Sequence, residues 1–109
     1  MAQDEGLAQI LRDALAGHPD IAERNMFGGP CFLLRGNMLC GVHRDGGMFR
    51  VGRKNETAAL AIAGVSPMAL TGRRMGGMVD ARDDTPADDS RRRRLVSLAM
   101  DFVGPLPAK

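Results

Sequence analysis

The sequence predicts an α+β fold: a two-layer domain in the order α-β(3)-α-β(2)-α, with helices on one face of an antiparallel sheet. Three observations carry this. Apolar residues recur at helical spacing near both ends of the chain, at Leu7, Ile10, Leu11, Ala14 and Leu15 and again at Leu95, Leu98, Ala99, Phe102 and Val103. Between them lie short apolar runs separated by Gly-containing turn signals, the mark of hairpin-connected strands. The 109 residues, 44% hydrophobic and 26% charged, are enough for one core, so residues 1–109 form a single domain.

The first helix has Asp4 and Glu5 at its electropositive end, and Gly17 followed by His18-Pro19 stops it. The strands Cys31–Arg35 and Met38–His43 then form a hairpin around a Gly36-Asn37 turn. That register sets Leu33 against Cys40 and Cys31 against Val42, with the two sulfurs on one face but diagonal, too far apart for an easy disulfide. Two buried, reduced thiols are the expectation, in keeping with a cytoplasmic protein. A third strand, Met48–Val51, follows the "DGG" turn. "NETAALAIAG" reads as a short helix between Asn55 and Gly64. "PMAL" and "MGGMVDAR" are strands separated by Thr71-Gly72, the second bulging at Gly76-Gly77. Thr85 is the expected cap of the last helix, with Pro86 in its first turn and Gly104-Pro105 at its end.

Both faces of the hairpin read as apolar. Cys31, Leu33, Met38, Cys40 and Val42 line one, and Phe32, Leu34 and Leu39 the other, with His43 at the end. An antiparallel sheet with one wet face alternates apolar and polar residues instead. If helices cover one side, the second requires another subunit or a partner, so a homodimer or a protein complex is expected.

Charge is small overall at +2, but uneven. Residues 1–25 carry two basic and five acidic side chains, residues 26–82 eight and three, and residues 83–109 five of each. The positive middle segment fits an acidic partner or nucleic acid, or it guards sheet edges against mispairing. Of the arginines, "RRRR" at 91–94 has Asp88 and Asp89 four residues ahead and reads as a solvated, ion-paired helix face. Arg73 and Arg74 have no such acidic neighbours and are the candidate partner contacts. With no Trp, no Tyr and four Phe in core-like patterns, base stacking is not expected.

No catalytic or cofactor constellation is expected. Neither Gly28-Gly29 nor Gly76-Gly77 sits in a phosphate-loop pattern, so both glycine pairs read as backbone devices. His18, His43, Cys31 and Cys40 match no zinc spacing, and the aspartates at 80, 83, 84, 88 and 89 match no calcium loop. No cofactor, metal or membrane association is expected, and the chain carries no secretory leader pattern.

Several segments together resemble the N-terminal domain of the TfoX/Sxy regulators. They are "RNMFGG" after the first helix, "FLLRGNMLCGV", "MFRVG", "RRMGGMV" and the closing "AMDFVGPLP". The most specific pieces are Met26-Phe27-Gly28-Gly29 and Met75-Gly76-Gly77. The resemblance implies a fold similar to secretion-chaperone-like domains and no known catalytic residues. It also implies a regulatory role: the full-length regulators promote competence with the cyclic-AMP receptor protein and carry a second, C-terminal domain. This chain resembles the N-terminal domain free-standing, and Leu95 takes the place where the family commonly has a Trp. The leading expectation is thus a cytoplasmic, non-catalytic regulatory or adaptor protein working by protein contacts. Direct nucleic-acid binding through Arg73, Arg74 and the basic strands is the alternative, and a small nucleic-acid-modifying enzyme is a third.

Overall fold

A computed structural model describes residues 5–26, 29–43, 46–70, 73–82 and 85–109. Asp4, Phe27, Gly28, Asp45, Thr71, Gly72, Asp83 and Asp84 lie outside the described residues, as do the side chains of Glu5, Ala69, Leu70, Arg73, Arg74 and Met75.

The chain runs α1 (Glu5–Ala14), β1 (Ile21–Met26), β2 (Gly29–Leu34), β3 (Asn37–His43), β4 (Gly46–Arg50), α2 (Glu56–Leu60), β5 (Val65–Leu70), β6 (Arg73–Arg82) and α3 (Asp89–Val103). The strands form one sheet in the order β1-β2-β3-β4-β6-β5, and every neighbouring pair is antiparallel. The α+β class and the antiparallel sheet are as the sequence predicts. The sheet has one strand more than the sequence predicts, β1, ahead of the three expected before α2. Its sequence, IAERNM, places Ala22, Glu23, Arg24 and Asn25 in solvent, so no alternation marks it. Pairing with β2, and not its own pattern, makes it a strand. Its polar outer residues suit an exposed edge.

The hairpin turn falls one residue earlier than expected. Arg35 and Gly36 both have positive φ, 50° and 86°, which is the geometry of a two-residue turn whose twist matches its strands. Leu34 therefore pairs with Asn37 and Leu33 with Met38. The register then slips between Phe32 and Leu33, so that Phe32 meets Cys40 and Leu39 is the extra residue of a bulge. This corrects the expected pairing and the expected faces. Cys40 and Val42 join Phe32, Leu34 and Leu39 in the core beneath the helices, while Cys31 lies on the other side of the sheet. Both thiols are free and buried, but they do not share a face.

The helices cover one face of the sheet. Leu7, Ala8, Leu11 and Leu15 of the α1 region and Leu95, Ala99 and Val103 of α3 pack with Phe32, Leu39, Phe49 and Val79. Ala14, expected in this stripe, is exposed, and Ala8 is buried in its place. The cap of α3 also moves. Thr85–Ala87 forms a 3-10 turn, and Asp88 is the cap residue, its carboxylate accepting from the Arg91 backbone N–H at 2.9 Å. That bond holds the Asp88 carboxyl below its ordinary range. The arginine run is ion-paired as expected, through Asp88–Arg91, Asp89–Arg92 and Asp89–Arg93. The end of the chain returns to the hairpin tip: Asn37 donates to the Pro107 carbonyl at 2.8 Å, and the Lys109 N–H donates to Arg35 at 2.9 Å.

Candidate functional site

The sheet face opposite the helices is apolar and rich in methionine. Side-chain parity along the strands brings Met26 of β1, Leu33 of β2, Met38 of β3, Met48 of β4, Met78 of β6 and Met68 of β5 to the same side. Cys31, Met48 and Met78 are the buried centre of this cluster, with Met26, Met38 and Met68 half-buried around it. No helix residue takes part in it among the described residues. These side chains line a groove of about 360 Å³ that also includes Arg50, Gly76 and Lys109. Five of the eight methionines of the chain meet here.

Glycine shapes the floor. A Cβ at Gly41 would lie 2.6 Å from Cys31 Sγ and 3.0 Å from the Met48 methyl, so only glycine lets the sulfur-rich cluster close over β3. The Cys31 thiol points to the Met26 carbonyl at 3.5 Å, and burial pushes its pKa up. Burial pushes the Cys40 thiol up as well, further than that of Cys31. Neither has thiolate character near neutral pH, which a cysteine nucleophile requires.

A second cavity, of about 390 Å³, adjoins the groove and shares Arg50 and Gly76 with it. Its other walls are Gly52, Arg53, Lys54, Gly77 and Phe102. Arg50 lies over the Phe102 ring, 5.3 Å from its centre. The second glycine motif explains the position of Arg53. Gly77 has φ 82°, and its carbonyl accepts from the backbone N–H groups of Val51 and Gly52 at 2.9 and 3.0 Å. That locks β6 to the segment carrying Arg53 and Lys54. A Cβ on Gly76 would meet the Arg53 guanidinium at 2.9 Å, so the bare strand is what lets this side chain lie flat against it. Among the described residues, no carboxylate pairs with Arg50, Arg53 or Lys54.

At the far end of the same face His43 reaches across β4 to Asp80, with Nε2 2.5 Å from Oδ1, and Arg82 stands 3.7 Å from the other carboxylate oxygen. Both members of the pair are mostly buried, at 17% side-chain exposure. The pair ties β3 to β6 over Gly46 and Gly47, where β4 offers no side chain to block it. Among the described residues, no group of three or more His, Cys, Asp or Glu side chains is placed to hold a metal ion.

Of the residues singled out from sequence, Met26, Gly76 and Gly77 come together around these two cavities, while Gly29 pairs with Met26 at the β1–β2 turn. Met75 lies in β6. The backbones of Arg73 and Arg74 open β6 opposite Leu70 and Ala69, and their side chains fall outside the described set. Sequence reasoning missed Met48, Met68 and Met78 as one surface, together with Arg50, Arg53 and Lys54. The available signal was a methionine in nearly every strand.

A six-stranded antiparallel sheet with helices on one side and an apolar, cation-flanked face on the other defines a class of small α+β domains built around an open sheet. The chain matches the TfoX N-terminal domain family over residues 13–103, most of its length, and belongs to that family. No curated protein and no solved structure matches it. No helix among the described residues is long and apolar enough to cross a membrane.

Proposed function

We propose that the protein is a non-catalytic regulatory or adaptor module that works through protein contacts, with the open methionine face as its contact surface. The observation behind this is the cluster of Met26, Met38, Met48, Met68 and Met78 around the groove, in which no helix residue takes part among the described residues. Flexible thioether side chains adapt to varied apolar partners, and an apolar groove with a few polar groups at its rim is the usual form of a binding site. Family membership supports placing such contacts in transcriptional control, including that of competence-type genes. A photo-crosslinking amino acid at Met38, compared with one at exposed Ser97 on α3, tests the reading in cells. Discrete protein adducts from position 38 alone are expected, and equal or no adducts from both positions would sink it.

A homodimer is a separate part of this reading, and sedimentation velocity over a range of concentrations tests it. Direct nucleic-acid binding is the second reading, favoured by Arg50, Arg53 and Lys54, which pair with no carboxylate among the described residues. It requires duplex DNA affinity that falls steeply with salt.

A further inference from the structure

We infer that the open face receives an acidic amphipathic helix from a partner protein. Its apolar side chains would sit in the methionine groove and its carboxylates against Arg50, Arg53 and Lys54. The inference rests on the reading of this face as a protein contact surface and adds the chemistry of the occupant.

The shape of the site points to a helix. The groove takes residues from all six strands, from Met26 of β1 to Met68 of β5, within about 360 Å³. That space takes a few apolar side chains and not a whole helix, and one helix face presents such a set at i, i+3, i+4 and i+7. An added strand would instead use the backbone groups of a sheet edge, and this groove presents side chains.

The charges point to acid. Among the described residues, no aspartate or glutamate lines either cavity, whereas Arg50 and Lys109 line the groove and Arg50, Arg53 and Lys54 line the adjoining cavity. Arg53 is exposed and held flat over Gly76, and Arg50 is held over Phe102, so two guanidinium groups are positioned before any partner arrives. Preorganised guanidinium groups suit carboxylates. The same arrangement disfavours a second copy, because a two-fold contact through one patch would bring the cations of both copies into one interface. It also disfavours a nucleic-acid strand. The methionine side chains offer nothing to phosphate, and among the described residues Phe32 and Phe49 are fully buried and Phe102 is beneath Arg50.

The test uses the full chain labelled at its methionine methyl groups and two synthetic 16-residue peptides. Both peptides carry leucines at i, i+3, i+4 and i+7, one on a glutamate background and the other on lysine. The glutamate peptide is expected to shift the methyl signals of Met38, Met48, Met68 and Met78 while Met100 on α3 stays in place. It should bind about tenfold more tightly than the lysine peptide. Arg53→Glu combined with Lys54→Glu, both at exposed positions, should reverse that preference without changing Tm. Equal binding of the two peptides, or tighter binding of the lysine one, would overturn the proposal. Methyl shifts that follow protein concentration alone would overturn it in favour of a second copy. Duplex DNA that shifts the same signals and displaces the peptide would do so in favour of nucleic acid. If neither peptide binds but position 38 still crosslinks to protein, the acidic helix falls and the contact surface stands. If position 38 captures nothing either, both fall.

Discussion

Gly52→Ala should be among the most damaging single substitutions in the chain, and its cost separates into two parts. Gly52 has φ 83° and ψ 156°, a region that residues with a Cβ enter at a cost of about 1–3 kcal/mol. An added Cβ would also lie 2.6 Å from Phe102 Cγ, and closer still to Cδ1, inside a packed ring contact. Forcing the ring aside costs about a further 1–3 kcal/mol. The total, roughly 2–6 kcal/mol, compares with about 5–15 kcal/mol for a domain of ordinary stability. Thermal and urea unfolding should show Tm falling by at least about 10 °C. A double-mutant cycle with Phe102→Ala resolves the parts. Without the ring only the backbone strain remains, so Gly52→Ala should cost about 1–3 kcal/mol less in that background. An undiminished cost in the Phe102→Ala background would refute the ring contact. A cost below about 1 kcal/mol in the wild-type background would refute the strained backbone as well. Because the displaced ring supports Arg50, the glutamate-rich peptide should also bind Gly52→Ala more weakly under conditions where the variant is still folded.

Three further outcomes follow from the same geometry. Leu95→Ala, at a fully buried position of α3, should cost about 2–5 kcal/mol in urea unfolding. The two thiols should resist alkylation at pH 8 in the native protein and react fully only in denaturant, since burial both covers them and raises their pKa values; rapid native labelling would contradict the placement of Cys31 and Cys40. Arg12 donates to both carboxylate oxygens of Glu23 at 2.7 and 2.8 Å, and these bonds hold the Glu23 carboxyl below its ordinary value. A lowered folded pKa adds stability above the unfolded value, near 4.5, and loses it as pH falls through the folded one. Glu23→Gln should therefore cost about 0.5 kcal/mol at pH 7, as befits a pair this exposed, and the cost should vanish by pH 3.

The helices were legible because each carries its own evidence. The stripe of α1 and α3 repeats every three to four residues, and the Asp-Arg spacing of α3 makes its ion pairs a local matter. Even so, the cap of α3 lies at Asp88, three residues after the predicted Thr85. Thr85 and Asp88 are equivalent as cap types, and the choice between them is made in space: Thr85 is buried, and its hydroxyl lies against Gly64. The bulge near Gly76-Gly77 was legible from the glycines, and the register does slip there, between Pro67 and Ala69 on the partner strand. Strand β1 was not legible. A polar edge strand owes its form to hydrogen bonds with β2 and has no periodicity of its own.

By itself, then, the sequence determined the α+β class, the helices, the family motifs and the apolar character of both hairpin faces. Tertiary structure decided which residues share a face. A single extra residue, Leu39, turns the side chains beyond it to the opposite side and carries Cys40 and Val42 into the helix-covered core. Tertiary pairing also gathers Met26, Met38, Met48, Met68 and Met78 onto one surface and brings Gly76 beneath Arg53. Local patterns cannot report this, because a face of a sheet is made from positions distant in the chain, and only the strand register says which of them meet.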